Sequence, residues 1–437
     1  MPCSHTSRRT RLAAAAACGV LLQACLPAAG QVAGRSPDPG PVPGQGISYA
    51  ELFGRIWSTV DTRFYDPGFA GVDWRAVRAR YEREAAAAAS DSAFHALMSR
   101  MLRELPVSHL ELTPPARPAA RYGPAIGTRT VDGREVVVVA SPITDAYRRG
   151  IRVGDALLTP LGTVRGPLGE TAAVRWESCD GALREASVRR ERVTQTRPAA
   201  GAQWYVLEVA PDRRIGYLRV PNFFDGTDVQ VDSAMAGLAG TQGLVIDVRD
   251  NPGGNTSFVR LASYFTRGSN MVAALMMRSA LQRYGSAPDR IDPAALPRVR
   301  RAYTDRSVFA AMLLHRGAVA VFTEDLGARR YTGPVAVLTN EYTASAAEGF
   351  AAYMQFAHAG TLVGAPTAGR LLGGEAVALG GGWSLFLPTH AAWGPDGKSA
   401  IDRVTVPDVA VPLTREAVCA RRDPALERAF ALAGGEP

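Results

Sequence analysis

The sequence predicts an α/β protein with a helical unit at its amino end and a β-rich segment in its middle. Three observations carry that prediction. Leu52, Ile56, Val60 and Phe64 recur at a four-residue step, the spacing of an amphipathic helix. Residues 120–195 hold short apolar runs bounded by turn pairs such as Asp132-Gly133, as expected of strands and hairpins. Beyond residue 200, apolar strand-like runs alternate with helical patterns, which is the signature of a layered α/β fold.

The chain has 437 residues, and its first 24 read as an export signal. Arg8, Arg9 and Arg11 precede a short apolar stretch from Leu12 to Ala24, too short to span a bilayer. Leu22-Gln23-Ala24-Cys25 reads as a lipoprotein processing box, which predicts membrane attachment through a lipid at Cys25. Ala28-Ala29-Gly30 offers an ordinary signal-peptidase site instead. Either route predicts an exported protein, periplasmic or lipid-anchored at the cell envelope. Residues 25–48 form a linker whose Pro/Gly run from Arg35 to Gly46 cannot build a core.

A hydrophobic content of 47% with 21% charged residues supports packed cores and excludes a disordered chain. The formal net charge is +8, but three of the positive charges belong to the leader and the other arginines are spread out. That distribution argues against a nucleic-acid face. No cysteine pair has metal-ligand spacing. Cys179 and Cys419 are free to pair in an oxidising compartment, and their separation decides nothing.

The helical unit is expected over 49–115. Its second helix runs from Trp74 to about Ala89, and its third starts at Asp91 as N-cap and buries Phe94, Leu97, Met98 and Met101. In the β-rich segment, Val136–Val139 is a strand, and a turn and strand follow at Gly150–Leu158. In the last unit, from 200 to 437, strands are expected at Ile215–Val220, Leu244–Val248, Val335–Leu338, Leu362–Gly364 and Leu385–Leu387. Helices are expected over about 229–239, 256–266 and 344–357. Residues 270–330 show no clear strand and read as a helical insertion.

Two strand–loop–helix segments could carry chemistry. In Gly243-Leu-Val-Ile-Asp-Val-Arg-Asp-Asn-Pro-Gly-Gly254, successive glycines free backbone N–H groups to face an oxyanion. A tight strand–helix turn explains the same glycines. Val335 to Glu348 places Ser345 at the start of an alanine-rich helix. A serine there is usually a cap, yet the same geometry suits a nucleophile whose developing charge meets the following amide. Six histidines are available as bases, and local chemistry does not choose among them.

Together these segments resemble the C-terminal-processing and tricorn-type serine peptidase family. Val-Ile-Asp-Val-Arg-Asp-Asn-Pro-Gly-Gly is similar to its glycine signature, and Asn340–Glu348 to its nucleophile segment. Leu362–Gly369 and Val406-Pro-Asp-Val409 resemble further landmarks, as do Phe64-Tyr-Asp-Pro67 and Glu104–His109 in the helical unit. Residues 132–158 resemble its PDZ-like peptide-binding domain, which places that domain over 120–195. The resemblance implies a crotonase/ClpP-like ββα catalytic domain and a serine endopeptidase acting on unfolded or C-terminally tagged polypeptides, without metal or cofactor. It implies Ser345 as nucleophile.

One branch of that family uses a Ser–Lys dyad, but the matching position here is Arg370, which stays protonated and cannot serve as a base. The only lysine in the sequence, Lys398, lies in a Pro-Asp-Gly-Lys turn. The tricorn-like branch pairs serine with histidine, and Ser108-His109 matches it. The resemblance then implies His109 as base, Ser108 beside it, and an oxyanion hole from Gly253, Gly254 and Ala346. The supporting carboxylate is Asp402, displaced by one residue from the family position, or Glu348. A non-catalytic peptide- or ligand-binding protein on the same scaffold is the alternative. A CoA-dependent enzyme of the crotonase fold is disfavoured by the Ser345 segment and the PDZ-like region.

Overall fold

In the computed structural model, residues 47–115, 121–193 and 201–434 are described. The expected leader, the Cys25 box and nearly all of the Pro/Gly linker lie outside the described residues. Three helices come first: α1 (Tyr49–Arg63), α2 (Trp74–Ala86) and α3 (Asp91–Leu102). The Ser48 hydroxyl caps α1 by accepting the Glu51 N–H, and Asp73 caps α2. The cap of α3 is Ser90, whose hydroxyl accepts the Ala93 N–H, so Asp91 is the first helical residue rather than the cap. The α2 helix stops at Ala86, short of the expected end, and of the following alanines only Ala88 packs against the core. Leu52, Phe53, Ile56 and Val60 of α1 are fully buried with Trp74, Val77 and Phe94, each such side chain contributing roughly 1.5–3 kcal/mol.

The strand β1 (Glu111–Thr113) leaves this unit to join a distant sheet. The middle segment is a five-stranded sheet in chain order: β2 (Ile126–Val131), β3 (Arg134–Ala140), β4 (Ala156–Leu157), β5 (Thr171–Glu177) and β6 (Leu183–Arg189), with a short helix α4 (Asp145–Arg148). Val137, Ile151, Val174 and Trp176 form its own core.

Two larger sheets complete the fold. The first contains β7 (Gln203–Ala210), β8 (Arg213–Arg219), β9 (Gly243–Asp247), β13 (Val335–Thr339), β14 (Thr361–Gly364) and β17 (Val409–Ala410), in the order β17-β14-β13-β9-β8-β7. Its strands run parallel except for β7. The helices α5 (Thr227–Leu238), α6 (Phe258–Ser263) and α9 (Ala346–Phe356) share one core with it. The last helix, α11 (Pro424–Ala433), packs on the opposite face. The short α10 (Arg415–Cys419) lies between β17 and α11 in the chain. The second sheet holds β1, β16 (Trp383–Trp393), β10 (Met271–Met277), β12 (Ala318–Phe322) and β11 (Arg298–Val299), with β15 (Gly373–Gly380) paired to β16. The helices α7 (Arg278–Leu281) and α8 (Asp305–Leu314) accompany it.

The helical insertion expected over 270–330 is therefore not there: β10 and β12 are strands within a sheet. Along β12, Val319 and Val321 pack in the same core as α9, while Ala318, Ala320 and Phe322 pack with α1 and β16. A strand buried on both faces reads as an unbroken apolar run, and periodicity cannot tell it from a buried helix.

Candidate active site

The loops after β9 and β13 meet because those strands are parallel neighbours, with Leu338 opposite Asp247. Open α/β sheets place their binding crevices at these carboxyl ends. Side chains stitch the two loops together. Asn340 Nδ2 donates to Asp250 Oδ1 at 2.9 Å, and the Asp250 N–H donates to Asn340 Oδ1 at 3.0 Å. The Thr343 hydroxyl donates to the Val248 carbonyl at 3.0 Å, and the Ala344 N–H to the Asn251 carbonyl at 2.9 Å.

Ser345 follows at the N-terminus of α9 with φ 54° and ψ −121°, a region that residues with a Cβ rarely occupy. Such strain persists only where the surroundings impose it. Here they do. A Cβ on Gly253 (φ 101°) would lie 2.6 Å from Ser345 Cβ and 2.9 Å from Ala346 N, so only glycine fits between the loops. Gly254 (φ 137°) lies against the Phe223 carbonyl, where a Cβ would collide.

The expected oxyanion donors are not equivalent. The Gly253 N–H is already donated to Asn251 Oδ1 at 2.8 Å, which corrects its place in the hole. The buried Asn251 thereby uses Gly253 to shape the turn. No hydrogen bond occupies the N–H of Gly254 or Ala346 among the described residues. Both stand free beside Ser345.

Glu348 is fully buried, one helical turn beyond Ser345. Its Oε2 accepts the N–H groups of Ser345 at 2.9 Å and Arg370 at 2.7 Å. Its Oε1 accepts the Thr367 hydroxyl and the Gly369 N–H, each at 2.6 Å. Four donors satisfy this carboxylate, and none comes from His109. Glu348 braces the Ser345 turn against the Thr367–Arg370 loop.

His109 lies in the loop between α3 and β1, at φ 62°. Ser108 Oγ is 2.9 Å from His109 Nδ1 and donates to Asp402 Oδ1 at 2.5 Å, while the Ser108 N–H donates to Asp402 Oδ2 at 2.9 Å. Asp402 is also held at positive φ, 48°. Because the single Ser108 hydroxyl proton goes to the carboxylate, the bond with His109 must run from Nδ1–H to Ser108 Oγ. That tautomer leaves Nε2 with a lone pair. Burial pushes the His109 imidazole below its ordinary pKa and Arg370 adds to the effect, while Asp402 and Glu348 oppose it.

Glu348 and Arg370, bonded to each other beside the Ser345 turn, both act on the charge of the His109 ring. A Cβ on Gly369 would lie 3.5 Å from the Asp402 carbonyl, so the Asp402 segment abuts the loop that Glu348 holds. No hydrogen bond joins the Ser345 hydroxyl to the His109 ring among the described residues. Catalytic contacts are often loose without substrate and tighten on binding.

Among the other basic candidates, His390 of β16 lines a cavity together with Ser345, and the rest lie elsewhere. His95 bonds the Leu112 carbonyl at 2.9 Å. His315 ends α8, and His358 follows α9. Lys398 is exposed, 4.0 Å from Asp396. Among the described residues no cluster of His, Cys, Asp and Glu could hold a metal ion. Sequence reasoning missed Asn251, Thr367 and the Gly369 N–H; the Asn-Pro-Gly-Gly turn was the only signal pointing to Asn251.

A disulfide joins Cys179, just after β5, to Cys419 at the end of α10. Arg415 reinforces it by donating to Glu177 at 2.5 Å and to the carbonyls of Glu177 and Ser178, each at 2.9 Å.

Comparison with known proteins bears on the family and the fold. The model of peptidase family S41 matches residues 214–411, and that of the tricorn protease C1 domain matches residues 48–103. The chloroplastic C-terminal processing peptidase of Tetradesmus obliquus is 24% identical over 418 residues, covering 86% of this chain and 82% of that protein. Among solved structures, the photosystem II D1 C-terminal processing protease covers 89% of this chain and 98% of its own, with a TM-score of 0.54 and 19% identity. Mature CPAF covers 89% and 96%, with a TM-score of 0.64 and 15% identity. At these identities the two structures speak for the fold alone.

Proposed function

The chain belongs to peptidase family S41 and is a serine-type peptidase, and from that premise we infer that it is an exported endopeptidase with Ser345 as nucleophile and His109 as base. The observation that carries this reading is the Ser108–His109–Asp402 network, which directs the free lone pair of a neutral imidazole away from its anchor. The strained geometry of Ser345 supports it.

In the proposed reaction, Ser345 Oγ attacks the peptide carbonyl carbon and its proton passes to His109 Nε2. The oxyanion is received by the N–H groups of Ala346 and Gly254, at the positive end of α9. His109 then gives its proton to the leaving amine as the C–N bond breaks. A water, deprotonated by the same imidazole, attacks the acyl ester, and the imidazolium returns that proton to Ser345 Oγ as the ester C–O bond breaks. Ser108 and Asp402 hold the ring in its tautomer and stabilise the imidazolium; Glu348 is a positioning residue for the Ser345 amide. Because Arg370 stands where the other branch has lysine, this is the tricorn-like chemistry.

The sheet β2–β6 is read as a PDZ-like domain that takes an extended polypeptide by strand addition, with unfolded or C-terminally tagged chains as substrates. Export is supported by the Cys179–Cys419 bond, since disulfides persist in oxidising compartments. The amino-terminal signal and the lipid at Cys25 belong to the same reading. The test is cleavage of an unfolded protein such as casein by the wild type and by Ser345→Ala: the variant folds and cuts nothing, and equal activity in both rejects the nucleophile.

A further inference from the structure

Behind Ser345 lies a cavity of about 130 Å³. It follows one face of α9, with Ser345, Gly349 and Ala352 in its lining, and Ala346 and Gly254 line it as well. Its other walls include Val308 and Phe309 of α8, Leu275 of β10 and His390 of β16. The Phe309 ring meets His390 edge-on at 5.3 Å.

We propose that this cavity receives the side chain of the residue whose carbonyl Ser345 attacks, and that it selects a large uncharged side chain, leucine, methionine or phenylalanine. The proposal rests on Ser345 being the nucleophile. Position comes first: the nucleophile and the two free amides line the cavity, so a residue with its carbonyl over Ser345 has this space beside its side chain. Size follows, because an apolar cavity of about 150 Å³ is large enough to take benzene. Small residues on α9 make the room, and any side chain at Gly349 would press on Phe258.

Charge selects last. The histidine in the wall is neutral, since burial lowers its pKa to about 4, and its Nδ1 is buried without a partner. A cation or carboxylate entering among these groups would lose its water and find few polar replacements, the His390 ring and Asp305 among them, since the Asn255 and Thr256 side chains are already bonded. The acidic group on the wall, Asp305 at the first turn of α8, is exposed over part of its surface, while burial and the nearby Asp225 push its carboxyl up, which weakens its hold on a cation.

The test uses the wild-type enzyme and fluorogenic peptides that differ only in the residue before the scissile bond, with parallel labelling by a fluorophosphonate probe. Leucine, methionine and phenylalanine should exceed alanine, aspartate and arginine by roughly ten- to hundredfold in kcat/KM. Ala352→Phe, which fills the cavity from α9, should bring the leucine-to-alanine ratio down by roughly tenfold or more. An enzyme labelled at Ser345 that prefers alanine, arginine or aspartate, or shows no preference, overturns the pocket assignment alone. An enzyme neither labelled nor active overturns the nucleophile reading, and this inference with it.

Discussion

Asp402 holds Ser108 by two hydrogen bonds, at 2.5 Å to its hydroxyl and 2.9 Å to its N–H, across 294 residues of sequence. This contact ties the loop after the helical unit to the segment before β17, and it fixes the hydroxyl on which the His109 ring rests. The carboxylate therefore acts on the imidazole through a serine rather than directly.

Asp402→Asn keeps the shape and removes the charge. With an amide in place of the carboxylate, the Ser108 proton is no longer drawn away from His109, and the ring loses its tautomer. We expect a fall in kcat of roughly 10²-fold with KM little changed, measured by steady-state peptide hydrolysis. A fall in KM affinity with kcat intact contradicts the role.

With His109 as the proposed base, the pH profile should report its imidazole. Its pKa is lowered by burial, so the neutral base persists below the ordinary value of about 6.5. Activity is full above the folded pKa and is lost as pH falls through it, which places the acid limb of kcat/KM below about 6.5. Asp402 opposes the shift, so Asp402→Asn should move that limb further down. A limb above 6.5, or an upward move in the variant, is the contrary result.

Glu348→Gln places an NH₂ group where four donors converge. At least one buried N–H or O–H then lacks an acceptor, which costs about 1–3 kcal/mol. Denaturant unfolding should show that loss, together with slower labelling of Ser345 as its amide comes loose. Full stability and full reactivity in the variant contradict the bracing role.

The Cys179–Cys419 bond closes a very long loop, and its loss should lower stability by about 2–5 kcal/mol. Gly154 packs directly against both sulfurs, so Gly154→Ala should weaken the same region. Melting with and without reductant checks this: the wild type should lose stability on reduction, and a Cys179→Ser/Cys419→Ser double variant should not respond.

How much of this was legible in the sequence differs from part to part. The strands β9, β13 and β14 could be read because Gly, Pro and Asn mark where each stops, and the two loops with their glycines followed. Ser345 and Ser108-His109 emerged through family resemblance, since a serine before a helix and a lone histidine carry no local signal of partnership. The strands β10 and β12 were misread because burial on both faces erases alternation. Gly253 looked like an oxyanion donor because nothing in its own neighbourhood shows that the Asn251 side chain claims its N–H. The choice between Asp402 and Glu348 needed tertiary geometry: each is an acid near a landmark, and only the fold shows one bonded to Ser108 and the other to the Ser345 amide.

The most direct measurement is fluorophosphonate labelling of the folded wild type, with the modified residue located by peptide mass spectrometry. The account predicts one phosphonyl group on Ser345, lost in Ser345→Ala and slowed strongly in His109→Ala. A folded wild-type protein that stays unlabelled, or is labelled at another residue, contradicts it.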